Sequence, residues 1–216
     1  MKTIIHTVKF ILLAEWKSKF TLISVLLYIF IAVLITFLSL PGIDKPLYAA
    51  IFWLVVIFTT LQGISKSFIQ MHKGHFVYWH QLVTPAQFLA AKLISNALLM
   101  FVFTLFASLI FTIIHGNIID DNITFTLLAL LTALNIACIF TISSSIAAKT
   151  DNAGLLLPVL TFPLIVPVIL IGLKAGKKAV DGLGFSTVLP EIALLLLIAI
   201  LIVTMGLVLV KFIWKG

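Results

Sequence analysis

Residues 192–210 read IALLLLIAILIVTMGLVLV, nineteen positions without a charge or a proline. A run this long and apolar crosses the hydrocarbon core of a bilayer as a helix, for which about 20 residues suffice. Lipid leaves a chain two ways to satisfy its backbone, the helix and the closed barrel, and barrel strands alternate apolar and polar side chains. This stretch does not alternate. Moving outward from it, five further runs share its character: 155–173, 123–142, 93–114, 47–64 and 20–40. The sequence therefore predicts an all-α integral membrane protein with six transmembrane helices. Of 216 residues, 62% are hydrophobic and 10% charged, against about 25% charged in soluble domains. Six spans take roughly 120 residues, and the remainder is too divided to fold as a soluble catalytic domain.

The formal charge of +7 comes from fourteen lysines, with no arginine. They stand singly or in pairs at the ends of the apolar runs, which is a membrane-orientation pattern and not a nucleic-acid footprint. With the N-terminus in the cytoplasm, Lys2, Lys9, Lys17, Lys19, Lys66, Lys73, Lys92, Lys149, Lys211 and Lys215 fall inside, and Lys45, Lys174, Lys177 and Lys178 outside. Ten against four places both termini in the cytoplasm. The stretch 174–178 dissents locally, as a miscounted span near the fifth run would make it do. The lone Cys138 lies in an apolar run, so neither a disulfide framework nor a thiolate metal cluster is available. No small-residue cleavage site follows the first long run, and no cleaved leader is expected.

Before the first span, residues 1–19 form an amphipathic pattern. A helical wheel sets Ile4, Ile5, Val8, Ile11 and Leu12 on one side and Lys2, His6, Lys9 and Lys17 on the other, which predicts a helix lying in the membrane interface. Two connections are long. Residues 65–91 join spans two and three on the cytoplasmic side and are dense in Phe68, His72, His75, Phe76, Tyr78, Trp79 and His80; residues 174–191 form the long outer loop. Within the first, Thr84-Pro85-Ala86-Gln87 has the form of a capping box with proline at the first helical position, so the third span is expected to begin as a helix below the membrane.

None of the six predicted cores contains Asp, Glu, Lys or His, the groups that ion- or proton-driven transporters keep inside their spans. The polar residues there, such as Asn96, Asn135 and Ser143-Ser144-Ser145, suit helix contacts better than a substrate site. No phosphate-binding G-x-x-x-x-G-K-[ST] loop is present either, so a separate ATPase subunit is inferred as the source of energy. The aromatic 65–91 segment would then be the element docking into that motor; alternatively its Trp and Tyr simply sit at headgroup level. His72, His75 and His80 have poor spacing for a preset metal site and no nearby carboxylate. His115, at the outer end of the third span, is either a solvated imidazole or an axial heme ligand. Pro158, Pro163 and Pro167 each remove a backbone donor, so the fifth span is expected to be kinked or broken, beside a moving element or as a static consequence of packing. Glu15 falls on the apolar side of the first helix, with Lys19 one turn on as its plain partner and the 65–91 segment as the functional one.

Together these features resemble the heme exporter protein B family, the membrane permease subunit of the cytochrome c maturation ABC transporter. The resemblance covers nearly the whole chain. Its most specific pieces are LLLPVLTFPLIVPVIL at 155–170, similar to the family's leucine-rich stretch with a P-L-x-x-P core at Pro163 to Pro167, and Leu89-Ala90-Ala91-Lys92 leading into the third span. Many members carry F-x-x-D-x-x-D-G-S-L in the cytoplasmic loop as the ATPase-docking motif. Here Phe68 and Gly74 match it with a one-residue shortening, and Gln70, Met71 and Lys73 stand where the acids would be, implying a partner ATPase with an altered groove.

What the resemblance implies is a small ABC-2-type permease in the bacterial inner membrane. It would couple ATP hydrolysis by another chain to heme export, or to release of the heme-loaded chaperone, on the periplasmic side. ATPase docking would fall to Glu15, Phe68, Gly74 and Trp79. The implied partners are a cytoplasmic ATPase, a heme-handling membrane subunit with a Trp-rich motif, a small single-span subunit and the heme chaperone, with two copies of the permease per complex. This chain lacks the Trp-rich motif, so heme is its handled substrate and no cofactor is assigned to it. The competing expectations are a permease for a lipid or peptide, and a membrane scaffold binding heme or metal through histidine.

Overall fold

The computed structural model describes residues 2–17, 19–40, 42–64, 83–150 and 152–213. Among them are seven α-helices and one short 3-10 helix, and no strand. The helices are α1 (Lys2–Lys17), α2 (Lys19–Ser39), α3 (Lys45–Gly63), α4 (Pro85–His115), α5 (Asn122–Ala147), α6 (Ala153–Val180) and α7 (Leu189–Ile213). The 3-10 helix, Phe185–Val188, joins α6 to α7. Six of these, α2 to α7, are long and apolar enough to cross a membrane, in agreement with the predicted count.

Local chemistry sets the helix starts. Asp44 accepts from Leu47 N at 3.2 Å ahead of α3, and Asp121 from Thr124 N at 3.0 Å ahead of α5. The capping box before α4 forms as read: Thr84 Oγ1 accepts from Gln87 N at 3.4 Å and Gln87 Oε1 from Thr84 N at 3.2 Å. This cap moves the start of the third span from 93 back to Pro85. The 31 residues of α4 span about 46 Å at the usual rise, against a hydrocarbon core of about 30 Å, so its first turns project beyond the bilayer.

The fifth span departs further from expectation. α6 does not break: it runs as one helix through Pro158, Pro163 and Pro167 and continues to Val180. The predicted outer loop 174–191 is therefore mostly helical, with four residues, 181–184, outside any helix. All three prolines face away from the bundle, with Leu155, Val159, Phe162 and Leu170, while Leu157, Thr161, Ile165, Val168 and Gly172 pack inward. No core packing contact accounts for them. Thr161 Oγ1 turns back to the carbonyls of Leu157 and Pro158, at 2.9 and 3.2 Å.

α5 is the inner helix. Of its length 67% is buried, against 17% for the spans of α2 and α7, and it touches α3, α4, α6 and α7. Its polar side chains supply bonds between helices: Asn96 Nδ2 on α4 donates to Thr141 Oγ1 at 2.8 Å, and Asn135 Nδ2 to the Leu195 carbonyl of α7 at 3.2 Å. Such bonds average about 0.6 kcal/mol each in membrane helices, so close packing carries most of the association.

Candidate functional site

At one end of the bundle α1 folds against the others. Ile11 is buried with Phe88, Leu89 and Leu93 of α4, Cys138 and Ile142 of α5 and Val210 of α7. The buried stripe of α1 runs through Thr7 and Ile11, flanked by Val8 and Leu12, whereas Ile5, expected on the apolar face, is 62% exposed beside Phe10, Leu13 and Lys9. Val8, Ile11 and Leu12 of the expected apolar face thus lie on the inner side, and Thr7 joins them. The outward side mixes lysine with large apolar residues, as interfacial helices do.

Lys92, the residue just before the apolar run of the third span, lies two turns inside α4 and is 7% exposed. Ser95, Asn96, Thr141, Ser144 and Ser145 are buried in the same half of α4 and α5. The α1 end thus holds a buried cation and a polar patch that a span starting at 93 concealed.

Of the predicted docking residues, Phe68, Gly74 and Trp79 lie outside the described residues, as do His72, His75 and His80. Glu15 is in α1, but its side chain is outside them too.

Toward the end of α6, Trp53 of α3 is driven into that helix. Its Nε1 sits 3.1 Å from where a Cβ on Gly176 would stand, and Gly172 has Thr132 Cγ2 at 2.9 Å in the same sense. The pair Gly172 and Gly176, spaced like a helix-dimer motif, is filled by an indole from the same chain.

The far end is fastened by charge. Glu191, in the first turn of α7, is almost wholly buried, and Lys178 and Lys174 of α6 reach its Oε1 at 2.8 and 3.3 Å. Lys178 also donates to the Thr187 carbonyl at 2.8 Å. Lysines at the end of α6 and a glutamate at the start of α7 both suit the helix dipoles. Lys45 of α3 pairs with Asp120 of the α4–α5 connection at 2.6 Å. Three of the four supposed outer lysines are therefore in ion pairs, and with six helices in place no miscounted span produces the 174–178 stretch. Nearby, hydrogen bonds from Thr124 hold Asp121 below the usual carboxylate range.

His115 closes α4 at this end. Its ring stacks on Phe111 at 5.5 Å and meets Phe37 and Tyr48 edge-on at 5.8 and 6.0 Å, and both nitrogens are buried without a hydrogen-bond partner. An axial ligand must present a nitrogen to an open position on iron; in this arrangement neither is presented. Among the described residues no three His, Cys, Asp or Glu side chains gather to hold a metal.

A helical bundle with six helices long and apolar enough to cross a membrane, uncharged along its middle and carrying its ionisable groups at the two ends, is the body of a multi-pass membrane protein. The chain belongs to the CcmB family, heme exporter protein B: the family model described as CcmB protein matches residues 6–213. The family is that of the permease subunit of a heme-exporting ABC system in cytochrome c biogenesis, with ATPase activity in another chain. No curated protein and no solved structure matches the chain.

Proposed function

We propose that this chain couples ATP hydrolysis by a cytoplasmic partner to heme export, or to release of the heme-loaded chaperone, at the periplasmic face of a bacterial inner membrane. The observation that carries the reading is the family match over 6–213. The uncharged middles of the spans agree with it, because a bundle without a buried ion relay must be driven from outside. The orientation follows the lysine count, with both termini and the 65–82 segment in the cytoplasm. Two copies facing two ATPases, together with the Trp-motif heme subunit, the single-span subunit and the chaperone, complete the assembly.

In this reading the ATPase docks on the cytoplasmic segment through Phe68, Gly74 and Trp79, with Glu15 of α1 beside it. Support for this route comes from the packing of α1 on α4 and α2, in an apolar cluster that also takes in Cys138 and Ile142 of α5 and Val210 of α7. A push on α1 bears directly on α4 and α2. The expected destination is α6, whose prolines leave the Gly154, Val159 and Pro163 carbonyls without their usual helical donors.

Affinity purification of the tagged chain with the ATPase encoded beside it tests the proposal. The wild type should retain the ATPase, and Phe68→Ala with Trp79→Ala should lose it while the permease stays in the membrane. Retention by the double variant removes the docking assignment. A neighbourhood without any ATPase gene removes the transport reading itself.

A further inference from the structure

The charge of Lys92 is enclosed. The residue is 7% exposed and stands in α4 among Leu89, Ala91 and Leu93, all members of the apolar cluster at the α1 end, so little of it reaches water. A buried ammonium is costly unless a carboxylate pairs with it. The polar residues buried in the same half of α4 and α5 are neutral, and the hydroxyls of Ser95, Thr141, Ser144 and Ser145 each donate to a carbonyl of their own helix. None of them supplies a negative charge.

Seven acidic residues occur in the chain. Asp44, Asp120, Asp121, Asp181 and Glu191 stand at the far end, around the starts of α3, α5 and α7 and the end of α6, which leaves Glu15 and Asp151. α4 and α5 run antiparallel through a short connection, and the bond between Asn96 and Thr141 sets their register. Lys92 is therefore level with Ser145, and Asp151 comes more than a turn further on, past the end of α5. Glu15 is better placed. The inner stripe of α1 runs through Thr7, Val8, Ile11 and Leu12, and residues four apart stack on one helix face. Because α1 is one helix from Lys2 to Lys17, position 15 continues that stripe one turn past Ile11. α1 packs on α4, and Ile11 shares its cluster with Leu89 and Leu93, which flank Lys92 in sequence. Lys19, the expected partner four residues on, belongs to α2 and not to α1.

We infer that Glu15 forms an ion pair with Lys92 beneath α1 and so fastens the entry helix to the third span. Each end of the bundle is then closed by a buried charge pair, Lys178 with Glu191 at one and Lys92 with Glu15 at the other. Glu15 is a positioning residue: it holds α1 beside the cytoplasmic segment and does not itself meet the ATPase. The pair is a property of the chain alone, whereas its service to docking rests on the transport reading above.

The test is a cycle of variants in the full chain, with membrane level read in cells and the thermal transition read after purification in detergent. Glu15→Gln and Lys92→Met should each lower the transition by several degrees, and the double variant should lose less than the two losses summed. Exchanging the charges, Glu15→Lys together with Lys92→Glu, should recover membrane level and most of the transition that either reversal alone loses. Losses that simply add, or an exchange that recovers nothing, overturn the pairing. Where a single variant does not reach the membrane, recovery of membrane level by the exchange decides. Retention of the ATPase by the tagged chain separates the two roles of Glu15. Glu15→Gln and Lys92→Met should weaken it alike, and the exchange should restore it; loss with Glu15→Gln while Lys92→Met retains the ATPase in full overturns the positioning role and makes Glu15 a contact. The stability measurements involve neither ATPase nor heme, so their outcome leaves the transport reading to its own test.

Discussion

Gly172 and Gly176 show what a single missing methyl does in this bundle. A Cβ at Gly172 would stand 2.9 Å from Thr132 Cγ2, and Thr132 is β-branched and fully buried, so it has little room to give. Gly172→Ala should destabilise the purified protein by about 1–3 kcal/mol, read as an earlier thermal or denaturant transition in detergent, while Gly154→Ala, which meets nothing within 4 Å, should not. The two lysines on Glu191 differ in the same measurable way. Lys174 is 71% exposed on its side chain, so Lys174→Ala should cost less than about 1 kcal/mol. Lys178→Ala removes the closer partner of a buried carboxylate and should cost several times more. Asp121 gives the pH dependence. Its folded carboxyl titrates below its ordinary range because Thr124 donates to it, so it stabilises α5 above the unfolded carboxylate pKa and loses that contribution as pH falls through the lowered value. Asp121→Asn should flatten this acid limb of the stability profile while keeping the cap. At this scale the sequence was legible where the chemistry is local, as in the Thr84 cap. It was not where partners are far apart in the chain: nothing near Lys45 announces Asp120, and Glu191 read as a residue outside a span.

The elements were readable by type and misread at their ends. Hydropathy stopped the fifth span at Leu173 because Lys174 follows, but lysines in a last turn favour the helix C-terminus, and the helix continues to Val180. The third span was marked from its apolar core, although its own capping box placed the start earlier. For α1 the period and most of the face were legible: Val8, Ile11 and Leu12 lie on the inner side, where Thr7 joins them, while Ile5 is exposed. Three prolines in a helix suggested a kink or a break; the helix is continuous through them and carries them on its outward face. Since they fill no core position, Pro163→Ala with Pro167→Ala should leave membrane levels and thermal stability equal or higher, by restoring backbone bonds. If the prolines serve movement of α6, the same variant should lower cytochrome c assembly in cells; normal assembly would show that they do not.

For the whole molecule, six apolar runs, a charge-free middle and a lysine bias were enough to reach the fold class and the need for an outside motor. The leucine-rich stretch with its spaced prolines carried the resemblance that the family match over 6–213 bears out. What composition concealed is how the ends are built: a buried lysine under α1 at one end and a buried glutamate between α6 and α7 at the other, both outside the runs that hydropathy marks. The account rests on this chain serving cytochrome c maturation, and one measurement reaches that most directly. The gene is deleted in its native host, and membranes are examined by heme staining of denaturing gels together with the spectra of b-type cytochromes. The account predicts that covalently heme-bearing c-type cytochromes disappear, that b-type cytochromes persist, and that the wild-type gene restores the bands. Normal c-type cytochromes in the deletion strain would contradict it.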